Sequence, residues 1–535
     1  LMILLISIMG FLIYIYSLRN ISKNIEGQSL TLILLSTGLS IGTVASGNMI
    51  ALVVFWGISG LILYFYGLLN SAGSDATQKT FLMMGGSDVL LISGLAIIWF
   101  NNGGNFALYG AALNVTGFWS YLAFFCLLLA AFTKAGGFPM HTWIPAFSEH
   151  APIEGVALLP GVLDKLLGIY LLTRIMNGLF TLPFVLNLIV MILGAVTIVT
   201  AAMMAMIQHN GRKLLGYCAV SQVGYMVLGL GTGTVLGMMG GLFQLINCAI
   251  YQANLFLSFG SVEKRTGYSE LERNGGLAVQ MPWTFVSSLA GALAITGIPP
   301  FNGFGSKWLI YQSLIAGVKG QSTAFQLVYV ICLIIAVFGS GLTLASMMKF
   351  LYTVYFGKSK QDFSQVKEIN FNNWLVTITL SVLSLLLGAF AYRLVIHGLL
   401  SFTGDRETIT TAIPGLYLPF LVVGFLSIGF VIALFGYLIF RKVRFDQNYV
   451  GGQPDLNQFT ADGTHFYNDI RLMQPLKAIY DLAQKKVFDI YDLTGKLVQQ
   501  TGVWLQKAHT GVLTTYTTWV VVGFIVVILM LVGVR

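Results

Sequence analysis

Hydrophobic residues fall into runs of about twenty along the chain, the length an α-helix needs to cross the apolar core of a bilayer. Short polar or charged stretches part them. The pattern predicts spans near 2–18, 29–46, 49–70, 80–101, 117–136, 156–176, 183–208, 214–231 and 235–260, then near 281–318, 323–349, 373–393, 417–440 and 512–534. That makes about fourteen transmembrane helices, with 281–318 counted as one crossing. This crossing is interrupted by Pro299–Pro300 and by Asn302-Gly303-Phe304-Gly305. Lys134-Ala135-Gly136-Gly137-Phe138-Pro139 is a second break. Backbone freed by such breaks is tolerated at membrane depth only where protein or water satisfies it, so both are candidate ion-path elements.

The segment 441–511 has a different texture. It opens on Arg441-Lys442-Val443-Arg444 and stays polar and glycine-containing through 465. After that, Leu476, Ile479, Tyr480, Ala483, Val487, Ile490, Leu497 and Leu505 keep a helical spacing, while Lys477, Lys485 and Lys496 occupy other faces and Lys486 the edge. Such a helix is too polar to span, and about thirty-five residues of it reach on the order of 50 Å. Its amphipathic face fits either the lipid interface of its own subunit or a lateral strap across a neighbouring one.

Composition sharpens the class. Of 535 residues, 56% are hydrophobic and 9% charged, whereas soluble domains carry roughly 25% charged residues. Lipid must solvate the apolar excess, which makes this an integral membrane protein. The net charge of +9 comes without a basic patch interleaved with aromatics, so no nucleic-acid partner is expected. Cys126, Cys218, Cys248 and Cys332 lie far apart inside apolar runs, and their spacing predicts no iron–sulfur, zinc or disulfide role. The run 2–18 lacks a basic leader and a small-residue cleavage site, which reads as a retained span.

Basic residues give an orientation. If the loop with Arg19 and Lys23 is cytoplasmic, so are 71–79, 209–213, 261–280, 350–372 and 441–511, and with Lys349 at its span end these hold 21 of the 29 Lys and Arg. The opposite side keeps Arg174, Lys319, Arg393, Arg406 and Arg535, and Lys134, Lys165 and Lys307 fall within or at the ends of spans. The asymmetry follows the positive-inside bias and places both termini outside.

Those intramembrane charges are the candidate chemistry, because a lysine at a helix centre costs roughly 2.5–3.5 kcal/mol on insertion scales. Lys134 stands beside the first break and Lys307 just after the second; Lys165 follows Asp164, and Asp88 lies in Gly85-Gly86-Ser87-Asp88. A desolvated ammonium loses stabilisation of its charge, which lets it load and release a proton as its surroundings change. Snorkelling to the interface or a static ion pair with Asp88 or Asp164 is the competing reading. In the span 235–260, Gln244, Asn247, Tyr251 and Asn254 share one helix face, which suits a file of waters and interhelical hydrogen bonding equally. Spans 29–176 and 183–349 each hold one break with a lysine beside it, before the break in the first and after it in the second. Paired broken helices point to an inverted-repeat transporter.

The predicted fold class is thus an all-α polytopic membrane protein with two inverted five-helix repeats, two broken helices and a C-terminal lateral amphipathic helix. Its parts are an N-terminal span and loop (1–28), the first repeat (29–176), the second (183–356), two additional spans (357–440), the lateral helix (441–511) and a final span (512–535).

Three runs carry a family resemblance. Lys134 followed by Ala135-Gly136-Gly137-Phe138-Pro139-Met140-His141-Thr142-Trp143-Ile144-Pro145 resembles the "K-x-x-x-F-P-x-H-x-W-x-P" signature of the antiporter-like subunits of respiratory complex I, membrane-bound energy-converting hydrogenases and multisubunit cation/proton antiporters. Arg212 to Met226 is similar to that family's "K-x-x-L-A-Y-S-S-x-x-H-x-G-Y" helix, and Gly297 to Lys307 to its second broken helix. The lateral helix before a last span resembles the family's distal subunit, whereas Leu163 to Tyr170 resembles the hydrogenase relatives. The resemblance implies proton half-channels joined by a hydrophilic axis, with Lys134 as the first-half lysine, Lys165 the linking one and Lys307 the exit-side one; Asp88, Asp164 and His141 complete the candidate ion-translocation residues. It implies no cofactor in this chain, with iron–sulfur clusters and nickel–iron or flavin centres in partner subunits of a peripheral redox arm. Other membrane subunits and the lipid of a prokaryotic cytoplasmic membrane are the further partners it implies. The chain departs from the pattern at three places. Phe55-Trp56-Gly57 lacks the family's glutamate, Gln222 stands at a histidine position, and Asn247-Cys248-Ala249-Ile250-Tyr251-Gln252 lacks a histidine and a lysine. The readings are therefore three: a proton- or sodium-translocating subunit of a redox-driven assembly, a cation/proton antiporter module without a redox arm, or a structural subunit with a degenerate channel.

Overall fold

Inside lipid a backbone N–H or C=O has no water to bond, so each apolar run must satisfy its own backbone as a helix. The computed structural model describes residues 1–18, 25–70, 74–108, 113–319, 322–357, 361–391, 467–474, 476–509 and 511–533, with isolated positions between 424 and 435. The described chain is all-helical, apart from a two-residue parallel ladder pairing β1 (Leu113–Asn114) with β2 (Phe180–Thr181). Eleven of its helices are long and apolar enough to cross a membrane, and each coincides with a predicted span. The expectation of about fourteen is met at eleven of its positions among the described residues. Helix α1 (Met2–Ser17) is short, the crossing at 281–318 divides into two pieces, and the span predicted at 417–440 lies outside the described residues.

The chain forms two units, residues 1–477 and 478–535. In the first, α1 is followed by α2 (Glu26–Ala45), α3 (Met49–Leu68), α4 (Ser74–Asn101) and α5 (Phe118–Ala135). After the short α6 (Trp143–His150), α7 (Ile153–Leu158) runs through a π-turn at Leu159–Leu163 into α8 (Asp164–Arg174). Then come α9 (Phe184–Met206), α10 (Gly211–Gly231), α11 (Val235–Thr266), α12 (Pro282–Thr296), α13 (Asn302–Gly317), α14 (Thr323–Leu351) and α15 (Phe371–Ala389). Several starts are legible as caps: the side chains of Asn48, Asn210 and Thr234 accept from the first free N–H groups of α3, α10 and α11. The interior is built from the crossing at 153–179, whose most apolar stretch is buried throughout, and from α10 and α11, which are buried over most of their length. These three carry most of the polar residues discussed below, and the more exposed helices shield them.

Both breaks use the same local device. Helix α5 ends at Gly136 (φ 85°) and α12 at Gly297 (φ 82°), left-handed positions that glycine adopts without a Cβ penalty. A cis X–Pro bond follows each, Phe138–Pro139 and Pro299–Pro300. The freed backbone is satisfied locally, as lipid burial demands: Trp143 Nε1 donates to Thr133 O at 2.8 Å, and Phe138 N to Thr197 Oγ1 at 3.1 Å. Beyond the second break, α13 is braced by Met191, Ile198, Tyr225, Leu228 and Tyr329. Lipid tails are as apolar as these side chains, so this packing gains dispersion rather than transfer out of water.

One end of the bundle gathers charge. Arg212 pairs with Glu263 at 2.6 Å, Lys213 with Glu149 at 2.9 Å and His209 with Glu272 at 2.7 Å. Lys349 Nζ closes the end of α9 by donating to the Met206 and Gln208 carbonyls, both at 2.9 Å. At the start of α12, the Glu368 carboxylate accepts from Trp283 N at 2.8 Å and from Thr284 Oγ1 at 2.6 Å, a negative group at the positive end of a helix.

In the C-terminal region the expected thirty-five-residue helix is two helices, α17 (Leu476–Gln484) and α18 (Ile490–Ala508), after a short α16 (Asn468–Leu472). The break falls at Lys486, which adopts φ 57°, and Asp489 caps the next start by accepting from Tyr491 N at 3.1 Å. Lys486 ends one helical run and Asp489 begins another, although the apolar spacing continues across them. Helix α19 (Leu513–Gly533) follows as the final apolar segment, and 441–466 lies outside the described residues.

Candidate functional site

Lys134, one residue from the end of α5, is completely buried. Its ammonium donates to Ser59 Oγ at 2.7 Å, lies 3.4 Å from Asp164 Oδ1 and stands 5.3 Å from the centroid of the Trp56 ring. Helix α3 thus offers Trp56 and Ser59 from adjacent turns, and the first residue of α8 offers the counter-charge. Asp164 is 1% exposed and its Oδ2 has no hydrogen-bond partner. Asp88, half-buried on α4, turns its Oδ2 towards the glycine face of α3. It lies 4.0 Å from the point a Cβ on Gly57 would take and 3.7 Å from that on Gly60. A carboxylate from α4 therefore stands beside α3 where Gly57 contributes no side chain. His141, inside the first break, is buried with its ring stacked on Phe138 at 5.8 Å.

Asp164 and Lys165 are adjacent in sequence yet serve different neighbours. Successive residues on a helix point about 100° apart, so Asp164 faces α5 while Lys165 faces α11. There the Lys165 ammonium donates to Cys248 Sγ at 3.7 Å. The pair sits just after the π-turn that contains Pro160; such turns concentrate at functional positions. Of the ion pairs left open by the sequence, Lys134 makes one with Asp164, whereas the Lys165 ammonium meets Cys248 on another helix.

The polar face of α11 divides. Gln244 Nε2 donates to Gln222 Oε1 at 2.8 Å and to the Tyr251 hydroxyl at 2.9 Å, and Tyr251 itself donates to Gln222 Oε1 at 3.2 Å. Ser306 Oγ donates to Gln244 Oε1 at 2.5 Å, and Asn247 Nδ2 to Ser306 Oγ at 3.0 Å and Asn302 O at 2.9 Å. This cluster reaches from the level of Cys248 to the residue before Lys307. Asn254 does not join it: its amide donates to Ser287 O at 2.9 Å and Ser381 Oγ at 3.0 Å, tying α11 to α12 and α15.

Lys307 is 3% exposed. From the first turns of α13 its ammonium reaches back across the break to Ile295 O at 2.9 Å and Thr296 O at 3.2 Å, and it stands 4.6 Å from the Tyr225 ring centroid. Those carbonyls are the unsatisfied, negative end of α12, a favourable place for a cation. Gly303 sets the approach, since a Cβ there would lie 1.9 Å from the Ala294 carbonyl oxygen. Gly303→Ala is therefore expected to pry the half-helices apart and lower thermal stability by about 1–3 kcal/mol, the usual cost of overpacking. Thermal unfolding of the purified protein followed by tryptophan fluorescence measures it.

The sequence did not single out Ser59, Trp56, Gln222, Tyr225, Cys248 or Ser306 as site residues. Trp56, Gln222 and Cys248 entered through runs that depart from the family pattern and Tyr225 through a run that resembles it, and neither signal names a partner. Among the described residues, no group of His, Cys, Asp and Glu could hold a metal ion.

Comparison with known proteins identifies the family. Residues 46–333 match the family described as NADH:quinone oxidoreductase/Mrp antiporter, TM. The chain is 29% identical over 387 residues to an Na(+)/H(+) antiporter subunit of Alkalihalophilus pseudofirmus, covering 68% of this chain and 48% of that protein. It is 30% identical over 340 residues to hydrogenase-4 component B of Escherichia coli, covering 60% and 48%. It thus spans about half the length of these relatives. In fold it resembles a chain of the membrane-bound sulfane sulfur reductase, an archaeal respiratory membrane complex (TM-score 0.81, 23% identity, 98% of this chain and 87% of that one). It also resembles a chain of the Mrp complex from Dietzia sp. DQ12-45-1b (TM-score 0.75, 21% identity, 99% and 54%). With the family match spanning more than half of its residues, both broken helices included, this chain belongs to the NADH:quinone oxidoreductase/Mrp antiporter family of membrane subunits.

Proposed function

We propose that this chain translocates protons, or sodium, as an antiporter-like subunit of a redox-driven complex I-like or hydrogenase-type assembly. One observation carries the reading: Lys134, Lys165 and Lys307 each lie buried at 3% exposure or less, two of them at helix breaks, with hydrogen-bonded polar residues between Lys165 and Lys307. Static anchoring does not need amines arranged so, and an isolated intramembrane charge is costly. On this reading Lys134 with Asp164 and Asp88 forms the first loading site, Lys165 links it to the α11 cluster, and Lys307 is the release site. His141 lines the first break. The path uses Gln244, Asn247 and Tyr251, whereas Asn254 braces helices.

The two breaks, each with its glycine cap, support a pair of inverted five-helix repeats. The charged end of the bundle is the cytoplasmic one, in a prokaryotic cytoplasmic membrane with both termini outside. Helices α17 and α18 are the strap towards neighbouring membrane subunits, and iron–sulfur, nickel–iron or flavin centres belong to peripheral partners. A second reading, a cation/proton antiporter module without a redox arm, is favoured by the Na(+)/H(+) antiporter relative.

Lys134→Ala in membrane vesicles holding the assembled complex is expected to lower substrate-driven uptake of protons or sodium by about a hundredfold or more, the scale of one lost proton-transfer group. The measurement is ions moved per electron, by a pH-sensitive dye and by sodium tracer. An unchanged ratio removes the reading, and uptake without any electron donor, driven by a sodium gradient, selects the antiporter module.

A further inference from the structure

Asp164 turns away from Lys165, and the hydrogen bond the structure gives this ammonium ends on a sulfur, Cys248 Sγ of α11. Lys165 is 1% exposed and Cys248 fully buried. A neutral thiol is a weak acceptor and a poor mate for a charge withdrawn from water. A thiolate is a full counter-charge. Further along the path stand Tyr251, Gln222, Gln244, Asn247 and Ser306. The amides orient protons but do not hold an extra one near neutral pH, and a phenol or alcohol ionises less readily than a thiol. Of these groups it is the Cys248 thiol that the Lys165 ammonium reaches. Cys218 on α10 is also buried, but the hydrogen bond is made to Cys248.

Resting on the transport reading above, we infer that Cys248 is the proton-exchange partner of Lys165 and its thiol a working relay group of the central route. In the exchange, an N–H bond of the Lys165 ammonium breaks and its proton takes a lone pair of the Cys248 thiolate. An S–H bond forms, leaving a neutral amine beside a neutral thiol; the reverse step restores ammonium and thiolate. The pair carries no net charge in either form, so the proton moves without placing an uncompensated ion in the low-dielectric centre.

The test is a comparison of Cys248→Ser, Cys248→Ala and Lys134→Ala in the assembled complex, with proton uptake into vesicles followed during turnover. Serine keeps a hydrogen-bonding oxygen of similar size but does not ionise near neutral pH. Both Cys248 variants are expected to slow uptake on the order of a hundredfold, as for loss of one positioned proton-transfer group. Wild-type uptake in Cys248→Ser or in Cys248→Ala, with uptake lost in Lys134→Ala, overturns the relay and leaves the transport reading standing. Wild-type uptake in Lys134→Ala as well brings down that reading itself. Infrared spectroscopy supplies a signal that a purely structural role would not move. The Cys248 share of the S–H stretching band, isolated by subtracting the Cys248→Ser spectrum, should gain intensity in Lys165→Ala, because a thiol without its ammonium stays protonated. An S–H band identical with and without Lys165 also overturns the relay.

Discussion

Lys307→Ala is expected to abolish ion translocation and to loosen the second broken helix at the same time. The ammonium satisfies the Ile295 and Thr296 carbonyls at 2.9 and 3.2 Å in a site that is 3% exposed. A buried polar group left unpaired costs about 1–3 kcal/mol, so alanine leaves two such groups unpaired and forfeits the cation's contact with the Tyr225 ring. Two further variants separate structure from transport. Lys307→Gln keeps donors for the carbonyls but carries no exchangeable charge; it should hold most of the stability while uptake falls to background. Lys307→Arg keeps the charge but does not release a proton at attainable pH, so it too should be stable and inactive. Thermal unfolding and vesicle uptake on the same preparations check all three, and transport at wild-type rate in the glutamine variant would refute the role given to Lys307.

Asp164→Asn is the second large effect. It removes the carboxylate 3.4 Å from a fully buried ammonium, leaving Lys134 with the Ser59 hydroxyl, the Trp56 ring and the more distant Asp88. Breaking a buried pair by removing one partner costs about 3–5 kcal/mol, whereas replacing both by apolar residues of similar volume is often neutral. The expected pattern is therefore non-additive: Asp164→Asn and Lys134→Met each destabilise, and Lys134→Met/Asp164→Leu recovers most of the stability without recovering transport. Calorimetry on the single and double variants measures the coupling. Additive losses would mean that the pair is no unit. A milder loss in Asp164→Asn than in the combined Asp164→Asn/Asp88→Asn variant would show Asp88 acting as the reserve counter-charge beside Gly57.

These expectations draw unequally on sequence and structure. The helix breaks were legible because glycine and proline act on their own backbone: Gly136, Gly297 and the prolines after them interrupt a helix whatever surrounds them. The C-terminal helix was misjudged for the complementary reason. Its apolar spacing continues past Lys486, so periodicity alone did not register the turn there.

By itself the sequence determined that this is a membrane protein, where its helices cross and break, and which lysines lie at those breaks. Lipid imposes the length and apolarity of each crossing residue by residue, and that constraint is written locally. Only the tertiary structure decided which partners those lysines meet: Asp164 and Ser59 for Lys134, Cys248 for Lys165, and the carbonyl end of α12 for Lys307. It also drew Asn254 away from the path its helix face shares. Helical periodicity fixes the direction in which a side chain points, but the neighbour waiting there is set by how α3, α5, α8, α11 and α12 pack around one another.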